Sequence, residues 1–162
     1  KNAYLCAPKR IKIVFMEKES AAFRELMLQL FRTRMTFRRA VQRALKKTEA
    51  GITFEMLQVL RCLWEEQGIS QQVLAERIAK GKAALSNLIM NLEKKNYVYR
   101  LESPSDRRNK QVFLSEEGSL FYKRISIALD AIYESAGVAI GLEKVESMSA
   151  DLKLTGDVLE KV

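Results

Sequence analysis

Lys82, Ser86 and Asn87 lie on one side of a short helical stretch, and the residues around them fix which side that is. Leu85, Leu88, Ile89 and Leu92 follow the i, i+3, i+4, i+7 rule and turn inward, which leaves Lys82, Ala83, Ser86, Asn87, Asn91 and Lys94 outside. An asparagine amide can pair bidentately with adenine, a serine hydroxyl can bond a base or a phosphate, and a lysine can reach guanine or phosphate. Further along, Ser103 to Lys110 (SPSDRRNK) is turn-forming and carries three positive charges, Arg107, Arg108 and Lys110. A polar helix face beside a basic turn suits phosphate holding and base reading.

The elements that must position these groups run from Ser70 to Leu114. Ser70 caps a helix that turns Leu74 and Ile78 inward, with Ala75 small enough for a close crossing. After the turn Ala79-Lys80-Gly81 comes the helix that carries Lys82 and Asn87, and Asn96 sits where a left-handed C-cap is wanted. Two strand signals come next, Val98 to Leu101 and Gln111 to Leu114, with the basic turn between them. Two helices and a basic hairpin make a winged helix-turn-helix, a device for laying one helix in the DNA major groove and a hairpin beside it.

The flanks read as supports. One long helix is expected from Glu17 to Lys47, with Phe23, Leu26, Leu30, Phe37, Val41 and Ala44 on a stripe that Met27, Phe31 and Met35 widen to an arc of roughly 200°. Such an arc needs covering from two sides, by its own subunit and by a partner. Thr53 caps a second helix, Phe54 to Glu66, with Leu57, Leu60 and Trp64 turned inward and Gly68 ending it. Ser115 opens a fifth helix on Phe121, Ile125, Ala128, Leu129, Ile132 and Ala136, which Gly137 and Gly141 should break. A sixth, Leu142 to Val162, repeats Val145, Leu152 and Leu159 every seven residues, a seam for another helix. Residues 1–15 are unlike the rest of the chain; they read as an extension or cloning remnant ahead of a native start at Met16.

Composition narrows the function classes. The 162 residues carry a net charge of +8, and its basic excess is concentrated in residues 1–50 (+9) and 70–114 (+5), against −2 in 51–69 and −4 in 115–162. A basic face that attracts phosphates fits this pattern better than a uniformly cationic protein. The absence of histidine removes the commonest metal ligand and general base. With no glycine-rich phosphate loop and no paired carboxylates either, no enzyme, metal or cofactor is expected. Two cysteines, Cys6 and Cys62, suit a reducing cytosol. No apolar run approaches a membrane span.

LAERI, LSNLIMNLEKKNYV and above all SPSDRRNKQVFLSEEG, together covering Leu74 to Gly118, resemble the MarR family of bacterial winged-helix transcription regulators. From Met16 onward, helix order and length fit along the chain. The resemblance implies a single mainly α domain over 1–162 with a small β-hairpin, the winged helix-turn-helix at 53–114, and dimerisation helices at 17–47 and 115–162. It implies DNA contacts from Lys82, Ala83, Ala84, Ser86 and Asn87. Ala83 and Ala84 depart from the Ser or Thr usual there and offer only apolar contact, such as to a thymine methyl, so the operator should differ. Asp106 and Arg108 match the family's Asp-x-Arg pair in the wing. The arginine would enter a narrow minor groove with the aspartate fixing its angle, while Arg107 and Lys110 serve phosphates. A solvated turn is the plainer reading of those charges in isolation, but beside this helix pair the DNA role is the stronger.

The resemblance further implies a cytoplasmic homodimer on a pseudo-palindromic double-stranded operator, with half-sites about one helical turn apart. It also implies a repressor released by a small phenolic or anionic ligand. Arg34 and Arg38 could clamp such a carboxylate, although an intersubunit ion pair with Glu134 or Glu143, or snorkelling, is the stronger reading. Two alternatives remain: a redox switch on Cys62, which is more simply a semi-buried structural cysteine, and a winged helix kept for protein contact with DNA binding lost.

Overall fold

The computed structural model describes residues 7–102 and 110–162, the first ten of these by backbone alone. The chain divides into two units, residues 1–40 and 41–162. The first is a helical segment, most of α1 (Ala7–Lys46). Helix is expected only from Glu17, but the backbone is already helical at Ala7, and Pro8 lies in the first turn, where its missing N–H costs nothing. The apolar stripe of this unit is largely open: Phe23, Leu26, Met27, Leu28 and Phe31 are all exposed, Phe31 at 63%.

The second unit holds the core. Its elements are the end of α1, α2 (Phe54–Glu65), β1 (Ile69–Ser70), α3 (Gln71–Arg77), α4 (Lys82–Glu93), β2 (Val98–Glu102), β3 (Lys110–Leu114), α5 (Glu116–Ile140) and α6 (Leu142–Leu159). Val41, Leu45, Leu60, Leu63, Leu74, Leu85, Ile89, Leu92, Val112 and Ile125 are almost wholly removed from water. Each such side chain contributes roughly 1.5–3 kcal/mol by burial. The Gln42 side chain ties α1 to the following loop, donating to the Ile52 carbonyl at 3.3 Å and accepting from the Phe54 N–H at 3.0 Å.

The hairpin has a third strand. The sheet order is β1-β3-β2, antiparallel throughout, with Ile69 opposite Val112 and Tyr99 opposite Phe113. Two residues are too short for an alternation signal, so β1 is missing from the sequence reading. It is fixed by neighbours: the Gly68 N–H donates to the Val112 carbonyl at 3.1 Å, and the Gln67 side chain accepts from the Leu114 N–H at 2.9 Å.

Several expectations about the helices fail. Trp64 is 47% exposed rather than core, lying tilted on the Tyr122 ring at 5.3 Å; its indole presents one apolar face inward and leaves the rest wet. Gly137 does not break α5, because a glycine inside a helix costs only about 1 kcal/mol relative to alanine. The break comes at Gly141, whose φ of +92° no helix accommodates, and α6 leaves it at 101° to α5. Along α5, Phe121, Ile125 and Leu129 are buried, but Ala128 and Ala136 face solvent and Ile132 is half-buried. Helix α6 has no buried residue, so its seven-residue seam lies open, with Val145 half-buried and Leu152 and Leu159 exposed. Among the described residues, no single helix is long and apolar enough to cross a membrane.

Candidate nucleic-acid interface

The helix-turn-helix is made by local bonds. Ser70 Oγ accepts from the Val73 N–H at 3.3 Å and starts α3. The chain leaves α3 through Ala79, left-handed at φ +50°, with the Lys80 N–H donating to the Ala75 carbonyl at 2.9 Å. Ala75, buried at the end of that bond, has the small side chain a tight turn requires. Arg77 reaches back from α3 to Glu66 beside the end of α2, and this carboxylate holds the guanidinium still more firmly protonated.

Gly81 precedes α4 and supplies no side-chain cap, so the first-turn N–H groups of that helix lack the oxygen that Thr53, Ser70 and Ser115 provide to theirs. Uncapped donors at the positive end of a helix dipole are ready partners for an anion such as a phosphate. Leu85, Ile89 and Leu92 anchor the opposite face in the core and set the rotation of the helix. Lys82, Ala83, Ala84 and Asn87 are thereby exposed and Ser86 half-buried. Met90, Asn91 and Lys94 extend the exposed row. Met90 has no place in the sequence reading, though it could have been found from its distance from the Leu85–Ile89–Leu92 stripe.

The only carboxylate of α4 is Glu93, and Arg100 of β2 grips it with two hydrogen bonds, at 2.8 and 2.5 Å. The acid is thus neutralised locally, and the exposed face of α4 keeps the charge of Lys82 and Lys94. Tyr99 and Phe113 stack at 5.4 Å across the two long strands, and Glu102 stands opposite Lys110 where the hairpin opens. Lys110 is exposed there. Asp106, Arg107 and Arg108 lie outside the described residues.

The remaining sequence candidates lie elsewhere. Arg34 is exposed and Arg38 half-buried on α1, in the other unit. Cys62 is buried; desolvation pushes its thiol upward, against the smaller opposing pull of Arg61. A thiol so placed is mostly protonated and inaccessible, the reverse of what a redox sensor needs.

Comparison with known proteins gives a consistent set. Residues 52–110 match the model of the MarR family. The chain is 28% identical over 105 residues to the HTH-type transcriptional regulator SarZ of Staphylococcus epidermidis, covering 65% of this chain and 70% of SarZ. It is 28% identical over 114 residues to the HTH-type transcriptional regulator FarR of Neisseria gonorrhoeae, covering 68% and 78%. Among solved structures, the transcriptional regulator PA4135 aligns over 83% of this chain and 96% of its own, with a TM-score of 0.72 at 22% identity. The MepR–DNA complex of Staphylococcus aureus aligns over 88% and 97%, with a TM-score of 0.69 at 23% identity. NadR in complex with 4-hydroxyphenylacetate aligns over 79% and 89%, with a TM-score of 0.69 at 25% identity.

Proposed function

We propose, from the match of residues 52–110 to the MarR family model, that the chain is a sequence-specific DNA-binding transcription regulator of this kind working as a homodimer. The observation that carries this is the start of α4: an uncapped helix end bearing exposed Lys82, Ala83, Ala84 and Asn87, its rotation fixed by Leu85, Ile89 and Leu92. Laid in a major groove, that end presents Asn87 and Lys82 to base edges and Ser86 to a base or phosphate. Ala83 and Ala84 allow close approach and apolar contact. Lys110 stands at the base of the wing, and the wing residues Asp106, Arg107 and Arg108 are proposed to hold the adjacent minor groove and its phosphates.

The dimer is supported by the apolar surface one chain leaves open. Phe23, Met27 and Phe31 on α1, four residues apart, and Leu152 and Leu159 on α6, seven apart, are large exposed side chains at helical spacing. Monomers rarely leave such stripes uncovered. A two-fold dimer reads a pseudo-palindromic double-stranded site. A small phenolic or anionic ligand would release a repressor of this kind by favouring a spacing of the two reading helices that misses successive major grooves. Arg34 and Arg38 are candidates for its carboxylate. The ligand bound in NadR is a phenolic carboxylate, which is in keeping with that class.

Fluorescence anisotropy with labelled fragments from the gene's own promoter region tests the reading. The expected result is tight, selective binding that weakens steeply with salt. Equal affinity for promoter and random DNA would refute it. If Arg108→Ala leaves DNA affinity unchanged, the winged helix serves protein contact instead.

A further inference from the structure

Met90 is 42% exposed on α4, and nothing in the DNA reading so far uses it. At about 100° per residue, Ala83, Asn87, Met90 and Lys94 fall within an arc of roughly 60°. Leu85, Ile89 and Leu92, which anchor the helix in the core, point the opposite way. All four residues of the outer row are exposed. The Lys94 N–H donates to the Met90 carbonyl at 3.0 Å, so the helical turn runs on to the last member of the row.

That row is not composed like a face made for water. In a chain that is 30% charged it carries one charge, Lys94, at its far end. The one acid of the helix, Glu93, is held by Arg100. A single exposed apolar side chain is ordinary on a protein surface. Met90 differs in lying on the line farthest from the core, seven residues after Ala83 and with Asn87 between them. A helix laid in a groove meets the base pairs along that line. Ala83 to Met90 spans about 10 Å of helix axis, or about three base-pair steps.

What a thioether can recognise there is narrow. The major groove offers hydrogen-bond donors and acceptors, and its one projecting apolar group is the C5-methyl of thymine. Methionine is unbranched and polarizable, and it fits itself to irregular apolar surface. We propose that Met90 is a specificity-determining residue that packs on the C5-methyl of a thymine, about one base-pair step from the adenine taken by Asn87. This rests on α4 being the major-groove helix of the function proposed above. It adds a requirement for thymine at a further position of each half-site, read by burial of a methyl group rather than by a hydrogen bond.

The test begins with duplexes that the chain selects from a random library, which give its preferred site. Each thymine of that site is then replaced by deoxyuridine, which keeps every hydrogen-bonding group and lacks only the methyl. Anisotropy compares the native chain with Met90→Ala and Met90→Leu on these duplexes. At one T·A pair, changed in both half-sites, deoxyuridine should weaken the native chain about tenfold. Met90→Ala should lose about as much on the thymine duplex, and less than about twofold more when the methyl is removed. Met90→Leu should keep the dependence. Deoxyuridine effects on duplex shape, or at a thymine under Ala83, persist in Met90→Ala and are separated in this way. Thermal melts of the two variants check that the fold stands. Equal weakening of both duplexes by Met90→Ala, or no thymine at which the loss depends on residue 90, would overturn the proposal and leave selective DNA binding intact. A chain that selects no sequence would overturn both this role and the function it rests on.

Discussion

Arg100 and Glu93 join β2 to α4 through a two-pronged ion pair, Nε to Oε1 at 2.8 Å and Nη2 to Oε2 at 2.5 Å. Both side chains are about a quarter exposed, so the pair is partly shielded from solvent. It holds β2 to the last turn of α4 and removes the one negative charge of that helix from play. A double-mutant cycle with Arg100→Ala and Glu93→Gln, read by urea unfolding, should give a coupling of about 1 kcal/mol. Arg100→Ala should also weaken DNA binding, since the freed Glu93 carboxylate then repels phosphate. Glu93→Gln in the same background should recover affinity.

Among the glycines, Gly118 has the least room for a side chain. A Cβ built there would lie 1.9 Å from the Tyr97 carbonyl oxygen and 2.8 Å from its carbon. These are backbone atoms, held by the Ser115 N–H, so relief requires separating α5 from the turn after α4. Gly118→Ala should cost about 3 kcal/mol or more, at the upper end of overpacking effects. A thermal melt of the purified variant checks this, and an unchanged Tm would contradict the packing described.

Buried Cys62 and Tyr122 give the fold an alkaline limit. Burial is the main cause that raises both above their ordinary values of 9.0 and 10.0. The folded state therefore holds these protons more firmly than the unfolded one. Stability from the neutral groups is complete below the ordinary values and is lost as pH rises through the higher folded ones. Urea midpoints should stay flat from pH 7 to about 8.5 and fall above it. Cys62→Val should flatten the first part of that fall, and the native protein should react with a thiol reagent only slowly.

Much of this arrangement is written in local residues. The caps at Thr53, Ser70 and Ser115, the apolar face of α4 and the left-handed Asn96 all come from short-range chemistry, and the structure has each. What escaped the sequence depends on distant partners. Glu93 meets Arg100 through the strand that comes after α4, Gly118 is needed only because Tyr97 lies against it, and β1 exists only because β3 pairs with it. Trp64 reads as core by periodicity, yet it falls in the last turn of α2, where Arg61, Trp64 and Glu65 are all exposed. The stripe of α6 was legible as a seam but not as an open one, since the seven-residue repeat does not say what lies against it.

The roles proposed for Asn87 and Lys82 on α4 are two kinds of contact that different measurements can tell apart. Asn87 is exposed on the outward row of the helix, one turn beyond its start, where an amide can pair with an adenine edge. Lys82 stands at the first position of the helix, beside the uncapped N–H groups, where a phosphate would sit. Asn87→Ala should cost about 1–3 kcal/mol at the best operator, with little loss on random DNA, so specificity at one base pair relaxes. Lys82→Ala should instead weaken all sequences about equally and lower the slope of log affinity against log salt by about one. Anisotropy titrations of both variants on operator and random fragments at several salt concentrations separate these outcomes. If Lys82→Ala left the salt slope intact and Asn87→Ala weakened random DNA as much as operator, α4 would not enter the groove by this end.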